Sequence, residues 1–187
     1  SIPGKDPVHD QFNINGGFNN LNYVSGNSQA GRMSLVYEHV MPKQQQIFSL
    51  NGLHEAFRYD QQLPSERRLV YPKATLAWRQ VSDPLFSPSG YNVTVTGFAA
   101  TRAVFSSISV SELTADARAA LTVDFIRTRF YGHVIGGVNQ VSDVYSLPLS
   151  LALLLGGPED MKGFSYNSIG PGKKLAYGGI EVQKETL

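Results

Sequence analysis

No cysteine occurs anywhere in the chain. That excludes a disulfide framework, a zinc–thiolate centre and a thiol nucleophile. Charge is scarce as well. Asp, Glu, Lys and Arg make up 17% of the residues and the formal net charge is +1, against about a quarter charged in ordinary globular proteins. A basic face is what nucleic acid requires, so this balance gives no electrostatic case for nucleic acid as a partner. Long apolar runs are also missing. The nearest, LPLSLALLL from Leu147 to Leu155, is interrupted by Pro148 and Ser150 and reaches only half of the roughly 18 residues of a membrane helix. The opening residues, SIPGKDPVHDQF, carry neither the basic nor the apolar region of a signal peptide. The closing GGIEVQKETL is a strand pattern that stops without a turn. The sequence therefore reads as a fragment at both ends.

Catalytic patterns are absent too. His9, His39, His54 and His133 are scattered and form no HExxH spacing. GPGKK, from Gly170 to Lys174, resembles a phosphate loop only superficially. Asn167 stands at the first glycine position and Lys174 where Ser or Thr belongs. There is no Gly-x-Ser-x-Gly elbow. The expectation is a protein that is not an enzyme and uses no cofactor or metal.

What the chain has in quantity is two-residue alternation, the period of a strand with unlike faces. GRMSLVYEHVM sets Met33, Leu35, Tyr37 and Met41 against Arg32, Ser34 and Glu38. KATLAWRQ sets Ala74, Leu76 and Trp78 against Lys73, Thr75 and Arg79. GYNVTVTGF sets Tyr91, Val93 and Val95 against Asn92, Thr94 and Thr96. ARAALTVDF sets Ala117, Ala119, Leu121, Val123 and Phe125 against Arg118, Thr122 and Asp124. QQIFSLNGLHEAFRY is strand-like, but its faces sort less cleanly. SELTADARAAL has helix-forming residues, yet its alternation runs on into TVDF and predicts a strand. Turn residues at SGNS, MPKQQ and SDPLFSPSG separate the runs, and DQQLPSERR (60–68) reads as a longer polar link. The pattern predicts about eight strands of about 9 to 13 residues.

Two all-β architectures accommodate them. A soluble sandwich or barrel turns its apolar faces inward and uses strands of about 5 to 6 residues. A transmembrane barrel uses strands of about 9 to 11, with apolar faces to lipid and polar faces to a wet lumen. Strand length and the Arg/Lys/Asp/Thr faces favour the transmembrane barrel, and aromatics near strand ends suit an interfacial girdle.

One stretch departs from the alternation. LLLGGPEDMKGFSYNSIGPGKK, from Leu153 to Lys174, holds five glycines and two prolines, and long irregular segments in compact domains are usually functional. Gly163 lies between Lys162 and Phe164, so a loop folded into a polar lumen would present a cation and an aromatic together. In LAYGGIEVQ the acid Glu181 falls on the polar face of the strand that follows.

GGPEDMKGFSYNSIGPG, followed by that strand, resembles the loop-six signature of the Omp85 superfamily of outer-membrane barrels. GFSYNSIGPG is most similar to TamA-like members, the barrel subunits of the translocation and assembly module in the surface antigen D15 family. IPGKDPVHDQFNINGGFNNLNYVSGNS resembles their barrel after its first strands. The resemblance implies an antiparallel transmembrane β-barrel fragment, about half of a sixteen-stranded barrel, with an inserted lumen loop. Residues 1–187 would form one partial barrel domain that lacks the periplasmic POTRA domains and the terminal strands. It implies the bacterial outer membrane as location. The implied function is insertion of outer-membrane proteins or autotransporters, with two-partner secretion or general assembly of the BAM type as alternatives; a porin or soluble β-sandwich is the alternative of another class. Implied partners are outer-membrane lipid, unfolded outer-membrane clients and a TamB-like inner-membrane-anchored protein. The motif carries over to Met161, Lys162, Gly163 and Phe164, with Gly156, Gly157, Tyr166, Asn167, Gly170 and Pro171 supporting the loop and Glu181 as its contact on the barrel wall. Lys162 stands where the family has arginine. A lysine is a point charge rather than a planar two-pronged donor, which bears on how rigidly the loop is held.

Overall fold

A computed structural model describes residues 2–3, 9–60, 62–82, 89–123, 125, 128–156 and 165–184 of the 187. The strands are β1 (Ile2–Pro3), β2 (Asp10–Tyr23), β3 (Gly26–Met41), β4 (Gln44–Tyr59), β5 (Ser65–Val81), β6 (Gly90–Ala100), β7 (Val110–Val123), β8 (Thr128–Val141) and β9 (Lys174–Lys184). They form one antiparallel sheet in which each strand pairs with its neighbour in sequence, from β1 to β9, and among the described residues it does not close. Eight strands are full length and β1 is a two-residue addition. SELTADARAAL is a strand, as its alternation predicts.

Two expectations are corrected. The full strands run 11 to 17 residues rather than 9 to 13. The polar link is shorter than expected, because β5 begins at Ser65 and Glu66, Arg67 and Arg68 pair with Ala56, Glu55 and His54. Both corrections have one cause. Strands β3 to β5 continue past the apolar band, and there their outward residues are charged or amide-bearing, which reads as loop in sequence.

The faces follow from register. Asn51, Leu53, Glu55 and Phe57 of β4 oppose Tyr71, Leu69, Arg67 and Ser65 of β5 and Ser34, Arg32, Ala30 and Ser28 of β3, so all share one face, here the inner face. The outer face carries Phe12, Ile14, Met33, Leu35, Phe48 and Leu50, all exposed. Exposed apolar residues on one face and a hydrogen-bonded polar inner face are what a lipid-facing wall requires. On the inner face Thr75 meets Thr96 at 3.1 Å, and Asp116 accepts from Arg118 at 3.1 and 3.2 Å and lies 3.3 Å from His133.

The polarity of the two faces inverts along β4. In its first half Phe48 and Leu50 point outward, and Ser49 and Asn51 inward. In its second half His54 and Arg58 are outward, while Leu53, Phe57 and Tyr59 are inward and buried. β5 repeats the inversion, with Leu76 and Trp78 outward below and Glu66 and Arg68 outward above, opposite buried Leu69 and Tyr71. This is why the faces of QQIFSLNGLHEAFRY do not sort: each half obeys a different solvent. The six steps from Gly52 to Arg58 add about 20 Å along the strand.

β5 also outruns β6, pairing with it only from Lys73 to Val81. The unpaired stretch is served by the β6–β7 connection. Ser107 N–H donates to Arg68 C=O at 2.8 Å, Arg68 N–H donates to the Ser107 hydroxyl at 2.9 Å, and the Ser106 hydroxyl bonds Val70 N–H and C=O at 2.9 and 3.0 Å.

Candidate functional site: a segment crossing the inner face

The connection between β8 and β9 crosses the inner face to reach strands four and five places away. It leaves β8 through two 3-10 turns, Val144–Ser146 and Leu149–Leu151. Asp143 starts the first, its carboxylate accepting from Tyr145 N–H at 3.0 Å. Pro148 then fixes φ between the two turns. The run LPLSLALLL, too short and broken for a membrane helix, supplies the apolar side chains. Leu147, Leu149, Leu153 and Leu155 are buried. Leu147 packs in the cluster of Leu53, Leu69, Tyr71, Phe98, Ile108 and Val141, and Leu149 packs with Phe57 and Tyr59. Gly137 on β8 leaves room for the crossing: a Cβ there would lie 2.7 Å from Leu153 Cδ2.

Polar anchors fix the position. Glu55 is fully buried, and its carboxylate accepts from Ser150 N–H at 3.1 Å and from the Ser150 hydroxyl. Arg32 donates to the same hydroxyl at 3.3 Å. Tyr59 O–H donates to Leu147 C=O at 2.9 Å and Arg67 Nε to Ser146 C=O at 3.3 Å. A buried carboxylate is tolerated only when its lone pairs are matched, and Glu55 finds its donors on the crossing segment.

Beyond the second turn the segment closes a neck. Leu155 and Ile169 exchange two backbone bonds of 2.9 Å, and Asn167 N–H donates to Gly156 C=O at 3.2 Å. Gly156 has φ +122, and a Cβ there would meet Ser165 O at 2.5 Å. Asn167 adopts φ 51, a left-handed conformation that asparagine tolerates. The neck sits on the β2–β3 turn, where Ser25 Oγ donates to Asn167 C=O at 2.9 Å and the Tyr166 ring lies edge-on to Tyr23 at 5.7 Å. Gly170 packs beside Leu153 and Leu154 and precedes Pro171 through a cis peptide bond. Asn139 takes up the return path, bonding Lys173 C=O at 2.8 Å and Gly172 C=O at 2.9 Å.

Gly156, Tyr166, Asn167, Gly170 and Pro171 are therefore gathered at or beside the neck. Gly157, Met161, Lys162, Gly163 and Phe164 lie outside the described residues, so the expected tip is not located. Glu181 is on the inner face of β9, opposite Tyr131, and accepts from Gln183 at 3.1 Å; its expected contact with the tip involves residues outside those described. The anchors Glu55, Ser150, Arg32, Tyr59 and Arg67 escape sequence reasoning. Their one signal was the apolar inner face of β4, which needed something to cover it.

Among the described residues no group of three or more His, Asp or Glu side chains is placed to hold a metal ion. No curated protein matches the chain. The model of the Omp85 superfamily domain matches residues 10–186, from the start of β2 to past the end of β9.

Proposed function

Since the chain belongs to the Omp85 superfamily, we propose that it is part of the barrel of a TamA-like assembly factor, which inserts outer-membrane proteins, autotransporters among them. Membership gives it a place in the outer membrane and a non-enzymatic role in assembling or translocating proteins, with the membrane and client proteins as its partners. The finer reading is supported by the similarity of GFSYNSIGPG to TamA-like members and by the segment crossing the inner face. The observation that carries it is the anchoring of that segment, through Ser150, on Glu55.

In this reading the neck holds Met161, Lys162, Gly163 and Phe164 inside the lumen, where the Lys162 ammonium braces the inner wall and Glu181 is a contact for the loop. The loop keeps the barrel stiff and the lumen closed, so that clients are handled at the sheet edges and in the adjoining bilayer. Strand pairing itself drives insertion, because an unpaired backbone group in lipid costs several kcal/mol. No cofactor or energy source enters. The rest of a sixteen-stranded barrel and upstream POTRA domains complete the protein, and a TamB-like partner spans the periplasm.

The test is a pulse-chase in cells depleted of the full-length protein. Expected is slowed surface appearance of an autotransporter, restored by wild type and not by Lys162→Ala. Normal autotransporter assembly alongside failed export of a two-partner exoprotein would replace the TamA-like reading with a secretion transporter.

A further inference from the structure

Two acceptor oxygens on the inner face lack a donor. Glu112 Oε2 on β7 and Asn139 Oδ1 on β8 are both buried, and neither meets a hydrogen-bond partner. They belong to register partners. The two side chains therefore stand side by side on one face, their Cβ atoms about 5 Å apart. Asn139 is 8% exposed, and its amide cannot be turned to help. Its Nδ2 donates to Gly172 C=O at 2.9 Å, and a flipped amide would set oxygen against that carbonyl. Oδ1 is thus an acceptor that needs a donor and cannot become one. On the other flank, Phe98 is the β6 partner of Glu112; it is buried and has nothing to donate. Buried polar atoms are nearly always matched. A carboxylate beside a carboxamide oxygen leaves both unmatched, whereas a carboxylic acid there donates its O–H.

We propose that Glu112 carries a proton that it donates to Asn139, and that this shared proton latches the return arm of the crossing segment. Asn139 is the residue that grips the arm, through Lys173 C=O at 2.8 Å and Gly172 C=O at 2.9 Å. With the proton in place, the Glu112 O–H fixes the Asn139 amide and the arm stays down. When the proton leaves, a carboxylate faces Oδ1 and repels it. The amide turns, the bond to Gly172 is lost and the arm loosens. The hold is therefore present in acid and lost as pH rises.

Few charges surround the latch. Lys73 of β5 acts on Glu112 through its charge but gives Oε2 no hydrogen bond; it is exposed on the inner face, with Arg32 of β3 beyond it. On β7 itself Asp116 is engaged by Arg118 and His133. On the arm, Lys173 Nζ donates to Ser142 C=O at 3.4 Å. Lys73 gives the released carboxylate somewhere to turn, so the latch exchanges a bond to Asn139 for an ion pair with Lys73. It acts on the crossing segment whatever clients the barrel serves.

Single-channel conductance of the full-length protein, followed from about pH 5 to about pH 9, a span in which buried glutamates titrate, tests this. Expected is a rise in conductance with pH in the wild type. Infrared difference spectra should lose a carboxylic-acid C=O band over the same interval. Glu112→Gln supplies an N–H in place of the O–H, so it should fold, stay at the low conductance and lack both the step and the band. Lys73→Met should keep the acid-side conductance and the band. A step that persists in Glu112→Gln, or a wild type without one, would overturn the proposal. So would matching losses of the heat-modifiable form in Glu112→Gln and Lys73→Met at acid pH, the mark of a plain ion pair.

Discussion

Glu55 and Ser150 are 95 residues apart in sequence, yet one carboxylate takes both the backbone N–H and the hydroxyl of that serine. Glu55→Ala takes the acceptor from both donors of half-buried Ser150, at a cost of about 1 kcal/mol each. In the full-length protein the expected result is a lower temperature for loss of the heat-modifiable form, together with a rise in single-channel conductance as the crossing segment loosens. Unchanged conductance in the folded variant would mean that the segment does not depend on this anchor.

Tyr59 holds Leu147 by one bond from its hydroxyl. Tyr59→Phe keeps the ring in its cluster and removes the donor, for about 1 kcal/mol. The denaturation midpoint should fall less than in Glu55→Ala, and the double variant should lose less than the sum of the two, because both act on one segment.

Gly137 and Gly156 fail for different reasons. Gly137→Val drives a side chain into Leu153 and Thr114 and should expel the crossing segment, giving new protease cleavage between Ser142 and Lys173. Gly156→Ala imposes a left-handed φ on alanine and crowds Ser165 O, so about 1–3 kcal/mol is lost at the neck. Cleavage there should stay confined to the tip. A common cleavage map for the two variants would contradict the separation.

The polarity inversion fixes where lipid ends. Cysteines placed at Leu35 and Leu50 should react with a membrane-soluble maleimide and not with a charged one. Cysteines at Asn27 and Ala56 should show the reverse, with the change between the rows of Gly52 and His54. Charged-reagent labelling at Leu50 in membranes would refute this boundary.

Residues 1–187 by themselves should not make a pore. Among the described residues the sheet does not close, and in lipid such free edges leave backbone groups unpaired. Refolding residues 1–187 into detergent should give no monomeric heat-modifiable band and no channel activity; a discrete conductance would reverse that view.

Much of the fold was legible because a period of two survives any solvent. Ala74–Trp78 and Tyr91–Val95 could be assigned to faces from sequence alone, since one side of each is apolar throughout. β4 was not legible, because Leu50 and Leu53 face opposite ways for opposite reasons. Charge in SERR likewise hid the start of β5, where strand leaves lipid for water. Of the site, the loop residues were identifiable by resemblance, but their anchors on β3, β4 and β5 were not. Nothing in a linear sequence places Ser150 beside Glu55 until Leu147 and Leu149 have found the cavity that Tyr59, Tyr71 and Phe98 line.

The reversal of faces along β4 has a consequence for how the strand finds its partners. In an ordinary half-buried strand, slipping by one residue exchanges one apolar face for one polar face. Here a slip is wrong twice over. Phe48 and Leu50 would turn into the wet interior while Leu53, Phe57 and Tyr59 turned out to water, so the two halves reject the same misalignment independently. A strand that answers to two solvents thereby has its register specified at both ends.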